Sequence, residues 1–284
     1  MTMRTLVSAQ ELAALRERGD VLVVDCRFDL SDPGKGERDY LEAHIPGALY
    51  ASLDRDLSDL TKRGFGRHPL PDDDAFSGLL SRWGWRPGIT VIAYDTANGA
   101  LAAARLWWML RLAGDDFVGV LDGGLAAWTQ AGFALESGPV HLEHADVHAS
   151  FDGSRVVWFD ELERRREQGS ALLIDARSAQ RFSGDLEPID PVGGHVPEAL
   201  NRPFSDNLDV SGHFKTVDQL RQEFDALLAG RKASDIVHMC GSGVTACHNL
   251  LAMEYAGLHG SRLFAPSWSG WVSDRSRPVA TGTT

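Results

Sequence analysis

Short apolar runs alternate along this chain with longer segments of helical period. Residues 21–24 (Val-Leu-Val-Val) run into Asp25, and residues 172–174 (Leu-Leu-Ile) run into Asp175. Residues 89–94 and 235–239 form a second pair of such runs. An uninterrupted apolar run suits a strand buried on both faces of a parallel sheet. Helical segments are expected at 8–19 and 159–169, ahead of the first strands, and at 100–113 and 244–256, behind the second ones. Gly114 and Gly257 then supply the stops. The alternation predicts an α/β fold, a parallel sheet flanked by helices on both faces.

The pattern occurs twice. Val21-Leu22-Val23-Val24-Asp25-Cys26-Arg27 is echoed by Ala171-Leu172-Leu173-Ile174-Asp175-Ala176-Arg177, at an offset of 150 residues. His44-Ile45-Pro46-Gly47-Ala48 is echoed by His195-Val196-Pro197-Glu198-Ala199, at an offset of 151. Ala113-Gly114 matches Ala256-Gly257 at 143, so the loops between matching elements differ in length. Two tandem domains are expected, at 1–137 and 154–284. Residues 138–153, with Gly138, Pro139 and a run of polar residues lacking either period, join them.

A chain of 284 residues can build two cores without disulfides or metals. Its net charge of -12 repels phosphate backbones, so nucleic acid is not expected as a partner. Apolar runs stop well short of a bilayer span, and 100–110 is broken by Arg105, so no membrane partner is expected either. The N-terminus reads as lacking a secretory signal. Three cysteines, Cys26, Cys240 and Cys247, argue against a disulfide framework and for a reducing, cytoplasmic setting.

Chemistry concentrates at Cys240-Gly241-Ser242-Gly243-Val244-Thr245-Ala246, between a strand and a helix of the second half. Ligands of open α/β sheets collect at such strand ends. Two glycines permit a tight turn whose amides point inward, and the helix start adds partial positive charge. A thiolate is stabilised there relative to its thiol, as a nucleophilic cysteine requires. Cys26 and Cys247 read instead as small buried apolar residues. The first half carries Asp95 where the second carries Cys240. A carboxylate does not supply a thiol nucleophile, so that half is read as catalytically silent.

The Cys240–Ala246 string resembles the active loop of 3-mercaptopyruvate sulfurtransferases, within the two-domain rhodanese family. Leu121-Asp122-Gly123-Gly124-Leu125-Ala126-Ala127-Trp128, His44-Ile45-Pro46-Gly47 and Arg105-Leu106-Trp107-Trp108-Met109 are similar to signatures of the same family. Thiosulfate sulfurtransferases share Gly-Val-Thr-Ala but usually place basic residues directly after the cysteine. The resemblance implies two tandem rhodanese-like domains and an inactive N-terminal one that lends side chains to the active site. It implies a ping-pong reaction in which Cys240 takes sulfur from 3-mercaptopyruvate or thiosulfate as a persulfide. A thiol, cyanide or thioredoxin then removes it, with no cofactor and no metal.

By the same resemblance, Arg181 binds the donor's carboxylate or sulfonate, for which its planar fork is suited. The backbone of Gly241, Gly243, Val244 and Thr245 cradles the sulfur. Ser242 joins His68 and Asp54 in a proton relay. Ile189 stands where animal mercaptopyruvate enzymes have a second arginine. Arg177, His44 and His195 occupy places that both halves share, silent half included, and are read as structural.

Three other readings compete with this one. A cysteine phosphatase needs an arginine six residues after its cysteine, where this chain has Ala246. A metal site of His238, Cys240, Cys247 and His248 lacks zinc-like spacing, since Cys247 and His248 diverge on a helix. A non-catalytic binding module fits the first half better than the second.

Overall fold

The computed structural model describes residues 4–170 and 172–283. The chain divides into two compact units. One runs to Asp59 and resumes from Leu70 to Asp152; the other takes Leu60–Pro69 and everything from Gly153 onward.

The first unit runs β1 (Leu6–Val7), α1 (Ala9–Arg18), β2 (Val21–Asp25), α2 (Lys35–Glu42), β3 (Leu49–Tyr50), α3 (Asp73–Arg82), β4 (Thr90–Tyr94), α4 (Ala103–Leu112), β5 (Val118–Leu121), α5 (Gly124–Gln130). Its strands are parallel, in the order β1-β5-β4-β2-β3. The second unit repeats this with β6 (Val156–Val157), α6 (Phe159–Glu167), β7 (Leu172–Asp175), α7 (Ala179–Ser183), β8 (Leu200–Asn201), α8 (Val217–Leu228), β9 (Ile236–Met239), α9 (Ala246–Tyr255), β10 (Arg262–Phe264), α10 (Ser267–Trp271). The order is β6-β10-β9-β7-β8, again parallel. Each five-stranded sheet is flanked by helices, as the alternating pattern predicts.

Local chemistry explains the element ends. Ser8 caps α1 in a reciprocal pair with Glu11, and Gly19 closes it at φ 84°. Of residues 138–153, read as a linker, 138–152 run without regular structure against the first unit, and Gly153 begins a short 3-10 turn of the second. The Ala145 N–H reaches Ser81 O at 3.0 Å, and the Asp152 N–H reaches Leu112 O at 2.8 Å.

The repeat extends to side chains. Asp25 and Asp175 are fully buried at the ends of β2 and β7. Arg27 forks onto Asp25, with Nη2 to Oδ2 at 2.7 Å, and Arg177 forks onto Asp175 at 2.6 Å. Each guanidinium also donates to a carbonyl across the following loop, Ala43 O or Gly194 O. His44 and His195 bond backbone carbonyls through Nδ1, those of Tyr40 and Phe182.

The helices after β4 and β9 begin at Ala103 and Ala246, later than the apolar pattern predicts, because the backbone first wraps the strand end. In the first unit it wraps the Asp95 carboxylate. That group accepts N–H bonds from Ala97, Gly99, Leu101, Ala102 and Ala103 at 2.8–3.2 Å. Burial pushes the Asp95 carboxyl up, and the amide donors pull against that shift. Asp95→Ala strands buried donors and is expected to lower the unfolding free energy by about 3 kcal/mol. A urea unfolding midpoint equal to that of the parent chain would show that these amides do not need the carboxylate.

Candidate active site

β9 is buried along its length and delivers Cys240 at its carboxyl end, 1% exposed. The chain then turns through residues 241–245 into α9. Gly243, at φ 78°, points its N–H at Cys240 Sγ, 3.2 Å away. Two further bonds fix the turn from the start of α10. The Trp268 N–H donates to Cys240 O and the Ser269 N–H to Gly241 O, both at 2.9 Å. The Cys240 N–H donates to Ser267 Oγ at 3.1 Å, and that hydroxyl donates on to Phe264 O.

Ser267 holds φ 52°, a conformation that favours glycine, and the first unit has Gly124 at φ 58° in the matching place. There the Leu125 N–H bonds Asp95 O at 3.0 Å, as the Trp268 N–H bonds Cys240 O. Sequence reasoning missed Ser267. Its signal was the alignment of Gly123-Gly124-Leu125 with Pro266-Ser267-Trp268, visible only after the two halves are superposed.

Cations gather above the turn. A methyl group built on Gly241 would lie 3.2 Å from Arg67 Nη2 and 3.3 and 3.4 Å from Arg181 Nη2 and Nη1. Both arginines share Asp190, Arg67 Nη1 at 2.7 Å and Arg181 Nη2 at 2.9 Å. Arg181 Nε also bonds Glu187 at 3.0 Å, and Glu187 reaches Arg177 at 3.3 Å. Burial pushes the Glu187 carboxyl up, but bonds from Arg181 and from the Asp190 and Ile189 amides outweigh it and hold the group below its ordinary range. Arg177 lies over the Trp268 ring at 4.4 Å, so its charge serves the scaffold. Arg67 was not singled out from sequence because residues 60–69 join this unit from far upstream, and Asp190 and Glu187 were not because they lie in an irregular stretch that no period marks.

The same upstream segment carries His68, whose Nδ1 lies 2.9 Å from Ser242 Oγ. Both are buried. The structure thus brings Cys240, Gly241, Ser242, Gly243, His68 and Arg181 into one unit. Val244 and Thr245 open α9, accepting from the Cys247 and His248 amides. Asp54, the remaining relay candidate, belongs to the first unit.

The side chains of the metal reading have separate partners. Cys247 Sγ donates to Gly243 O, His248 stacks on Phe214, and His238 Nε2 lies 3.1 Å from Met253 Sδ. Among the described residues, no three His, Cys, Asp or Glu side chains are grouped to hold a metal ion. Cys26 is enclosed, and its burial pushes the thiol well up, away from the reactive form.

The rhodanese-like domain family matches this chain twice, over residues 8–131 and 159–274. The chain belongs to the rhodanese-like family. A Pseudomonas aeruginosa relative named "Probable 3-mercaptopyruvate sulfurtransferase" is 49% identical across 99% of this chain and all of its own length. A Mycobacterium tuberculosis relative, provisionally named a thiosulfate sulfurtransferase, is 38% identical over 99% of this chain and 98% of its own. The crystal structure of the Escherichia coli 3-mercaptopyruvate enzyme superposes with a TM-score of 0.78 at 34% identity, covering 94% of this chain and all of that one. The Leishmania major 3-mercaptopyruvate sulfurtransferase gives 0.81 at 30% identity, covering 94% of this chain and 73% of that one. Among the described residues no helix is long and apolar enough to cross a membrane.

His238, within the rhodanese-like sheet that carries Cys240, yields a prediction. Burial lowers its protonation to about pH 3, while the unfolded chain takes up that proton near pH 6.5. Between those values the unfolded state binds more protons, so stability falls as pH falls, by up to about 1.4 kcal/mol per unit. His238→Leu is expected to flatten this slope. Urea titrations at about pH 5 and about pH 7 measure it, and an unchanged slope would assign the acid sensitivity to other groups.

Proposed function

We propose that this rhodanese-like chain is a sulfurtransferase that carries sulfane sulfur from 3-mercaptopyruvate to a thiol or cyanide as a persulfide on Cys240. The observation that carries the reading is the Gly243 N–H aimed at Cys240 Sγ beneath the Arg67 and Arg181 guanidiniums. It provides a backbone donor for a sulfur anion and cations for the anionic end of its donor.

The chemistry balances without a cofactor. The Cys240 thiolate gives an electron pair to the donor sulfur, forming S–S. The C–S bond breaks, and its pair stays on carbon as the enolate of pyruvate. Protonation of that carbon yields pyruvate and leaves Cys240 as –S–SH. A thiolate or cyanide ion then attacks the outer sulfur and releases Cys240 as thiolate. Ser242 and His68, 2.9 Å apart, form the relay that brings the proton to the enolate. Asp54 is proposed as the group that orients His68. A small dithiol protein such as thioredoxin suits the acceptor role. Three free cysteines fit a reducing, cytoplasmic setting.

Thiosulfate as main donor is the second reading, favoured by the Mycobacterium tuberculosis relative's name. The uncharged Gly241-Ser242 pair weighs against it. The parent protein, incubated with 3-mercaptopyruvate, is expected to gain the mass of one sulfur atom on the peptide bearing Cys240. Cys240→Ser is expected to lose this label and transfer to cyanide while keeping its fold. A label on Cys26 or Cys247, or turnover by the variant, would remove Cys240 from the reaction. Comparison of kcat/KM for the two donors with one acceptor ranks them, and a preference for thiosulfate would put that donor first.

A further inference from the structure

The donor's anionic group needs a partner that the sequence left in doubt. The active turn carries no basic residue, and the second arginine of animal mercaptopyruvate enzymes is replaced by Ile189, an exposed residue. Yet two guanidiniums, from Arg67 and Arg181, stand where a side chain on Gly241 would project.

Arg67 has features of a group kept for a ligand. It spends Nη1 on Asp190, while its Nε is buried and has no hydrogen-bond acceptor among the described residues. The nitrogen that faces Gly241 is Nη2, which can give an incoming carboxylate oxygen a charge-assisted bond. The side chain is one-quarter exposed, so the guanidinium can be reached.

The bland alternative is that Arg67 merely ties residues 60–69 to the second unit. Other contacts already do that. The Arg67 N–H donates to Ser269 Oγ at 2.9 Å. Phe65 packs edge-on against Trp158 at 5.8 Å. Gly66, at φ 93°, passes so close to Pro266 that an added Cβ would lie 2.4 Å from its carbonyl oxygen.

We propose that Arg67 is a specificity-determining residue, which pairs with Arg181 to clamp the carboxylate of an α-keto thiol donor above Gly241. Asp190, bonded to both, sets their spacing and damps their charge. The clamp rests on the sulfurtransferase reading and names the group that selects the donor.

Steady-state kinetics with 3-mercaptopyruvate, together with inhibition by pyruvate, test it. Arg67→Met is expected to raise KM and the pyruvate inhibition constant together, by about tenfold or more, with a much smaller change in kcat. Arg67→Lys keeps a point charge without the fork and is expected to fall between the two. It also serves if the methionine variant fails to fold. Asp190→Asn loosens the spacing of the two forks and is expected to raise KM, by less than Arg67→Met does. If Arg67 only braces the segment, Arg67→Met would lower kcat and the urea unfolding midpoint while leaving the pyruvate inhibition constant at its parental value, and the proposal falls. A parental KM in Arg67→Lys and Arg67→Met would overturn it as well. Failure of the underlying reading looks different: the parent protein itself would take no sulfur from either donor.

Discussion

Both units are organised around an acceptor set at the carboxyl end of a central strand and met there by backbone N–H, from five residues at Asp95 and from Gly243 at Cys240. The position is prescribed by the fold. β4 lies between β5 and β2, and β9 between β10 and β7, so each strand end is enclosed on both sides. The following helix has to start by turning its free amides back over that end. Those amides need an acceptor. In the first unit Asp95 fills the role permanently, with a carboxyl group covalently attached. In the second unit the acceptor is Cys240 sulfur, which takes the Gly243 N–H. One backbone solution therefore holds a carboxylate in one unit and a thiol in the other.

The framework of this arrangement was legible in the sequence because it is local. Strand runs ending in Asp25 and Asp175, glycine stops at Gly114 and Gly257, and the Cys240 turn all announce themselves within about ten residues. The repeat made each element visible twice. What could not be read was the company Cys240 keeps. Ser267 enters from the start of α10, and Arg67 and His68 from a segment about 170 residues upstream that leaves the first unit for the second. No periodicity marks that excursion. The structural roles of Arg177 and His195 were legible for the opposite reason, since Arg27 and His44 repeat them in the unit that has Asp95 in place of Cys240.

The electrostatics of the site resolve an apparent conflict in the chain. A net charge of -12 is a poor attractant for an anionic donor. Charges beyond a Debye length are screened, however, and partly buried neighbours are not. Near Cys240 the relevant groups are Arg67 and Arg181, with Asp190 and Glu187 holding them in place. Those carboxylates lower the cost of burying two guanidiniums side by side, and they fix the forks in a set orientation. The resulting cluster is nearly neutral in sum yet directional, with its cations turned toward the active turn.

That geometry explains why the turn alone is ambiguous about its donor. Where the loop itself carries basic residues, charge and backbone travel together in one motif, and the motif identifies the substrate. In this chain the loop supplies the backbone donor while α7 and the 60–69 segment supply the charge. Gly241 follows from this division. A Cβ there would press on both guanidiniums at 3.2–3.4 Å, closer than ordinary van der Waals contact. The glycine thus lets both guanidiniums stand where they are, and a side chain there would make them give by a few tenths of an ångström. A loop without cations is what a site looks like when its cations arrive from elsewhere in the chain.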